Sequence, residues 1–428
     1  MAPSRPDENA ASVLQPVLRS RLARHVDSLL PDMADPQDRS FYRDLLIFGG
    51  ALFALTLIVH FATMTWMLPA PRDNTTLPLG RDFLNFWMYG RAAVSDAPGR
   101  YYDLFAYQDA LAKFLGPGFP GQNWSYPPSV MLIAAPFGLV NYLTALAIWT
   151  VLGVVLFVSV ARRHVLDARM LVLVMISPAV TFCLISGQSS LVTSAMLLTI
   201  FAWLDRRPLA AGALIALLTI KPQLGFLFPL LLIASGRWRV FAAATVTTLA
   251  LVAITTLLFG VEIWQDFLSK GMPVQNRILA DPDLVATPFY TTVFMNVRGL
   301  DLPPSVAMGV QLVFSAFAVA VLVWAFRTKR DADPQLLQAL FFAATVSASP
   351  YLLAYDTLPL TFAALALLVS GKLDGPGRRL AQLAFWLPTL QLVFGAMHIP
   401  GPALIAPAFV AYLGWRLGLR PARALAPA

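Results

Sequence analysis

Residues 209–236 read LAAGALIALLTI, then Lys221-Pro222-Gln223, then LGFLFPLLLIASG, so that a single cation sits between two apolar arms. Each arm is shorter than the ~20 residues a helix needs to cross a bilayer. The pair therefore reads as a hairpin within the membrane whose tip lies below the lipid surface. Charge and irregular backbone at that depth are tolerated where they line a water-filled cavity walled by protein. Lys221 has two readings: it snorkels up to the interface, or it faces an anion in such a cavity. The pattern recurs twice. Segments 170–185 and 190–204 are joined by Ser186-Gly187-Gln188-Ser189-Ser190, and segments 335–349 and 357–370 by Ser349-Pro350, Tyr351 and Tyr355-Asp356.

The rest of the chain fits these hairpins. With 58% hydrophobic and 13% charged residues and a mean hydropathy of +0.67, it is too apolar for a soluble surface and reads as an all-α integral membrane protein. Further apolar segments at 45–68, 142–161, 239–259, 304–326, 379–396 and 402–418 bring the expected total to about twelve crossings. The piece at 129–140 is too short to span at ~1.5 Å per residue and is expected to be re-entrant, interfacial or a steep short helix.

Basic residues give the orientation. Arg5, Arg19, Arg21, Arg24, Arg39 and Arg43, with sixteen more in turns at 162–169, 206–207, 237–239, 327–330, 372–379 and 416–423, make 22 of the 31 lysines and arginines. The positive-inside rule then places both termini in the cytoplasm of a bacterial inner membrane and the hairpin tips on the periplasmic or exterior side. The net charge of +8 thus reports topology, and no basic, aromatic-interleaved surface for nucleic acid is visible. Residues 1–44 form a cytoplasmic tail without a cleavable signal peptide, in which 11–30 suits either an amphipathic surface helix or a solvated tail. Residues 45–428 form the membrane domain, with 45–68 as a signal anchor. Cys183 is alone in an apolar segment and reads as buried filler, and the four histidines show no metal-ligand spacing. No protein metal site and no cofactor are expected.

Two long loops face outward, at 69–128 and 260–303. In the first, Asp82, Asn85, Phe86 and Tyr89 fall at i, i+3, i+4 and i+7, so a helix would align a carboxylate, an amide and two rings, a combination that suits a hydroxyl-rich ligand. Equally, Asp82 suits a helix cap, with the rings packed on lipid or protein. A second amphipathic stretch is expected at 103–115. Trp124-Ser125-Tyr126-Pro127-Pro128 then makes an extended entry into 129–140, with Trp124 as an interfacial anchor. In the second outer loop, mostly solvated charge, Arg277 and Arg298 stand out weakly.

Arg81-Asp82-Phe83, Tyr126-Pro127-Pro128, Gly187-Gln188, Lys221-Pro222 and Ser349-Pro350 with Tyr355-Asp356, in this order over about 270 residues, resemble glycosyltransferase family 87. No single motif is specific; the resemblance rests on the ordered set. The resemblance implies a GT-C fold in which the first outer loop carries the catalytic aspartate, matched here by Asp82. It also implies a polyprenyl-phosphate sugar as donor, used on the extracytoplasmic face. Tyr355-Asp356 stands where actinobacterial members have histidines, so their donor and acceptor preference does not carry over.

The chemistry is plausible in its own right. A sugar on a polyprenyl phosphate has an activated leaving group, so the enzyme must supply a base for the acceptor hydroxyl and positive charge for the departing phosphate. Asp82 is the candidate base, Lys221 and Arg81, with Arg298, the candidate phosphate-binding cations. Asn85, Tyr89, Tyr126, Gln188, Gln223, Tyr355 and Asp356 are candidates for sugar and acceptor hydroxyls. Inversion is expected, although Asp356 is a possible second carboxylate for a retaining route. The acceptor is a lipid or glycan, and the transferred group a mannose-like hexose or a pentose. A transporter or flippase of a lipid-linked or polar substrate is the alternative. It fits less well because the ionisable residues cluster at one face rather than at the midplane and the two halves show no repeat.

Overall fold

The computed structural model describes Ser28 and residues 39–419, apart from 68, 117, 120, 124–125, 165–168 and 281–287. The expected amphipathic stretch 11–30, save Ser28, and the expected anchor Trp124 lie outside the described residues. Within them the fold is helical, with isolated β-bridges but no strand. In chain order the helices are α1 (Arg39–Ala62), α2 (Arg81–Ala93), α3 (Leu104–Leu115), α4 (Met131–Gly138), α5 (Tyr142–Ala161), α6 (Arg169–Met175) and α7 (Pro178–Ser186). Then follow α8 (Ser190–Trp203), α9 (Pro208–Leu217), α10 (Pro222–Gly225), α11 (Phe228–Ser235), α12 (Trp238–Phe259), α13 (Glu262–Asp266) and α14 (Met272–Ala280). The last are α15 (Val293–Arg298), α16 (Pro304–Thr328), α17 (Pro334–Ala348), α18 (Leu358–Val369), α19 (Gly375–Ala396) and α20 (Ile405–Leu419).

Local chemistry sets many of these boundaries. Proline opens α7, α9, α10, α16 and α17, where a missing N–H costs nothing. Side chains cap others: Asn141 accepts from the Thr144 amide, Asp333 from Gln335, Asp374 from Gly377 and Asp103 from Ala106, satisfying N–H groups that the helix itself leaves open. Left-handed Gly187 and Gly236 close α7 and α11, as glycine does without steric cost.

Four helices, α1, α5, α12 and α16, are long and apolar enough to cross a membrane on length and composition. The pair α6–α7, bent by 55° at Ile176-Ser177, makes five if it counts as one span. The expectation of about twelve crossings is therefore not met as full spans. The other apolar segments are there as shorter helices, except 379–396, which lies in the 22-residue α19. The reason lies in what surrounds them. Every residue of α18 is buried, as is most of α17, so their hydropathy reflects a protein interior. By contrast α1, α12 and α16 leave Phe48, Ile58, Val246, Leu257, Leu312 and Val313 exposed, apolar surface of the kind a membrane covers.

The described parts of the two long loops expected to face outward carry helices of their own. In the first, α2 lies against α4 at a glycine crossing. A Cβ on Gly90 would stand 2.2 Å from the Ala134 carbonyl oxygen, and one on Gly138 2.2 Å from the Gly90 carbonyl carbon, so only glycine lets the two backbones meet. The segment 129–140 is thus a short helix docked on the loop. In the second loop, α13 to α15 lead to a seam with the 349–356 tip: the Thr291 amide donates to the Leu352 carbonyl (3.0 Å) and the Ala354 amide to the Phe289 carbonyl (2.8 Å).

The turns rich in arginine meet at the other end of the bundle. Arg237 pairs with Asp205 (2.9 Å), Arg330 donates to the Ala234 carbonyl (3.2 Å), Lys372 pairs with Asp333, and Arg416 donates to the Lys372 carbonyl (3.2 Å).

Candidate active site

Three helix ends and the first-loop helix converge on one polar cluster. Gly80 precedes α2 in the left-handed conformation (φ 67°) and makes no side-chain cap, so Asp82 is not the cap of its helix. It sits in the first turn, where a carboxylate is favoured by the helix dipole. Tyr142 holds this start by donating to the Leu79 and Gly80 carbonyls at 2.5 and 3.0 Å.

Gly187 brings the second group in. It is left-handed (φ 69°), and a Cβ there would lie 2.8 Å from Phe83 Cβ and 3.1 Å from Gly80 Cα. Backbone therefore packs on backbone at this point, and the carbonyl of Gly187 accepts from Trp149 Nε1 at 3.1 Å. The next side chain, Gln188, reaches Asp82: its Nε2 donates to Asp82 Oδ2 at 3.3 Å and to the Tyr355 hydroxyl at 3.0 Å. The Gln188 carbonyl accepts from Cys183 Sγ at 3.2 Å, so this cysteine fastens the turn.

The third group is cationic. Lys221 is 1% exposed and Asp356 2%. Lys221 Nζ lies 2.5 Å from Asp356 Oδ1 and 4.8 Å from the centre of the Tyr355 ring. Lys221 does not snorkel; it points inward onto an aromatic face and a carboxylate. Ser190 Oγ donates to the same Oδ1 at 2.9 Å, while Asp356 Oδ2 is buried without a hydrogen-bond partner. An ion pair this deep costs several kcal/mol per charge in lost hydration, which mutual attraction at best balances. Stability alone is a poor reason to keep it.

Tyr126 completes the ring of groups. Burial pushes its phenol up, the charge of Lys221 pulls it down, and Asp356 and Asp82 raise it again. Arg81 stands outside at 48% side-chain exposure, its Nε 3.4 Å from Asp82 Oδ1, with Asp82 at 17%.

The structure thus brings together Asp82, Gln188, Tyr126, Tyr355, Asp356 and Lys221, with Arg81 at the edge. Four expected residues do not join them. Tyr89 is fully buried in a cluster with Tyr101, Tyr102 and Tyr107, its hydroxyl donating to the Tyr101 carbonyl at 2.6 Å. Asn85 accepts from Tyr107 and donates to the Asn123 carbonyl at 3.4 Å, holding the returning chain to α2. Arg298 is turned to the carbonyls of Leu302 and Ala280 (2.5 and 3.3 Å). Gln223 is half-exposed and hydrogen-bonds to none of the set. Ser190, Tyr142 and Trp149 are the supporting residues that sequence reasoning passed over. Trp149 and Tyr142 lie seven apart on one helix face directly after the Asn141 cap, a signal that was present.

Residues 124–354 match the family model described as Glycosyltransferase family 87. The matched stretch is more than half of the 428 residues. The chain belongs to glycosyltransferase family 87. Neither a curated protein nor a solved structure matches it. The matched stretch contains Tyr126, Gln188 and Lys221 and stops one residue before Tyr355. Asp82 lies well ahead of it and is tied to this family member's core by the Gln188 hydrogen bond. Family membership makes the protein a membrane glycosyltransferase, in keeping with its long apolar helices.

Proposed function

We propose that the protein transfers a sugar, a mannose-like hexose or a pentose, from a polyprenyl-phosphate donor to a hydroxyl of a lipid or glycan acceptor on the extracytoplasmic face. The Gln188 amide carries this reading. It joins Asp82 to Tyr355, whose ring lies against Lys221, so a base and a cation border one polar cluster. In the proposed step Asp82 takes the proton of the acceptor hydroxyl as the acceptor oxygen forms its bond to the anomeric carbon. The bond from that carbon to the phosphate oxygen breaks, and polyprenyl phosphate leaves with the electron pair. Lys221 and the more exposed Arg81 stabilise the charge gathering on the phosphate. Gln188, Tyr126 and the unpartnered Oδ2 of Asp356 hold sugar hydroxyls.

Inversion is the course proposed, with Asp82 as the base and Asp356 held by Lys221. A retaining route needs the second carboxylate as a nucleophile, and Asp356 Oδ1 is already committed to Lys221 and Ser190. The side of action rests on the segregation of basic turns to the opposite end and on the positive-inside rule. Transport of a lipid-linked substrate is disfavoured by the family match.

The test is a transfer assay with purified full-length protein, separate polyprenyl-phosphate and nucleotide-linked sugars, and envelope lipids as acceptors. Mass spectrometry is expected to find an acceptor one sugar heavier and free polyprenyl phosphate, from the polyprenyl-phosphate arm alone. Transfer from the nucleotide-linked arm would refute the donor class. Lipid and glycan profiles of a deletion strain would then name the acceptor, as the species accumulating one sugar short.

A further inference from the structure

The helix that leads to Lys221 begins at the far end of the bundle, beside α12, and the two start with arginines. A Cβ on Gly212 of α9 would stand 2.6 Å from both Ala243 Cβ and the Val240 carbonyl oxygen of α12, so the helices touch backbone to backbone. Against this contact lies a cavity of about 870 Å³, lined by Arg207, Leu209, Ala210, Arg239, Ala242 and Val246 among others. Its size is that of a small-molecule site. Leu209 and Val246 are exposed on the outside of the bundle, so it opens laterally.

Its charge is one-sided. Asp205, the acid of the adjoining turn, accepts both Nε and Nη2 of Arg237, at 2.9 and 3.0 Å. Arg207 lies over the Trp203 ring at 5.3 Å. Among the described residues neither Arg207 nor Arg239 has a carboxylate partner. Both stand where a helix begins, with Arg207 directly before α9 and Arg239 in the first turn of α12, and free backbone N–H groups there add to the attraction for an anion. Small side chains at 210, 242 and 243 keep the walls apolar and the space between them open. An anionic head above an apolar slot is the form of a phospholipid, and basic pockets between membrane helices recognise such heads.

We propose that the groove between α9 and α12 binds an anionic phospholipid, its phosphate at Arg207 and Arg239 and an acyl chain along Leu209, Ala242 and Val246. This lipid is distinct from the donor. Arg207 and Lys221 stand fourteen residues apart, about 20 Å along a helical path, so the two phosphate positions lie at opposite ends of α9. Lipid in the groove would brace the helix whose other end presents Lys221.

The experiment is native mass spectrometry of the delipidated full-length protein titrated with phosphatidylglycerol or with phosphatidylcholine of the same chains. One phosphatidylglycerol is expected to be retained, roughly tenfold or more in preference to phosphatidylcholine. Arg207→Gln with Arg239→Gln should abolish that preference, and Ala242→Trp, which fills the slot without touching the charges, should displace the lipid. Unliganded thermal unfolding of both variants checks that they fold. Inorganic phosphate in excess should leave the lipid bound. Equal retention of the two lipids, a wild-type preference in the double arginine variant, or displacement by phosphate alone would each overturn the proposal.

Discussion

The two ends of the bundle use the same residue types in opposite ways. At the end built from Asp82, Gln188, Tyr355 and the hairpin tips, the cation Lys221 and its partner Asp356 are almost completely removed from solvent. At the other end, Arg237 with Asp205 and Lys372 with Asp333 are partly exposed. Exposed pairs contribute about 0–1 kcal/mol each, enough to fasten turns. A buried pair costs desolvation that apolar residues would avoid. Charge kept at that cost, next to an unpartnered carboxylate oxygen and a half-buried aspartate, points to chemistry; charge at the other end points to anchoring.

Substitutions can break this contrast. The largest effect is expected for Asp82→Asn, which keeps an acceptor for Gln188 but removes the base. Sugar transfer should fall about 10²–10⁴-fold, the usual contribution of a general base, with unchanged membrane insertion; near-wild-type turnover would remove Asp82 from the mechanism. Lys221→Met should lower stability by about 3–5 kcal/mol, because it strands Asp356 as a buried charge. Adding Asp356→Leu should restore most of the stability but none of the activity, as read by thermal unfolding and transfer together. Recovery of both would make the pair structural. Gly187→Ala should cost about 1–3 kcal/mol from its left-handed backbone, and more activity than stability, since Gln188 would be pushed off Asp82.

The smallest effect belongs to the opposite end. Asp205→Asn should change stability by about 1 kcal/mol or less and leave transfer intact. The Arg237 hydrogen bonds hold the Asp205 carboxyl below its usual range. Its small contribution is therefore present above the ordinary carboxylate pKa and is lost as pH falls through the lowered value in the folded protein. In a pH titration of stability, wild type should therefore exceed Asp205→Asn by a small, constant margin at neutral pH, and that margin should close as pH falls through the lowered value.

How far the sequence could be read follows the same division. Positions 142–161, 190–204, 239–259 and 304–326 emerge as helices almost as expected, since hydropathy and capping residues are local properties. Hydropathy does not tell lipid from protein, so α17, mostly buried, and α18, buried all round, look like spans. It also runs smoothly over Ile176-Ser177, where the chain bends. The stripe of Asp82, Asn85 and Tyr89 is helical as its spacing implies, yet its members meet different neighbours: the Gln188 amide, the Asn123 carbonyl and a tyrosine cluster. Spacing fixes a face; only the packed neighbours decide what that face does. Arg298 shows the same limit, as nothing in its sequence surroundings announces that the carbonyls of Leu302 and Ala280 occupy it.

The account stands on the first-loop helix and the hairpin tip at Gly187-Gln188 sharing one site in the membrane-embedded enzyme. Cysteines can replace Asp82 and Gln188 in a Cys183→Ala background, with Asp82→Cys and Arg239→Cys as the control pair. Each pair is then treated in native membranes with a short bifunctional thiol reagent. Rapid cross-linking of 82 with 188 and none of 82 with 239 is predicted. Failure of the first pair to cross-link when both cysteines are accessible to reagent, or cross-linking of the control, would contradict it.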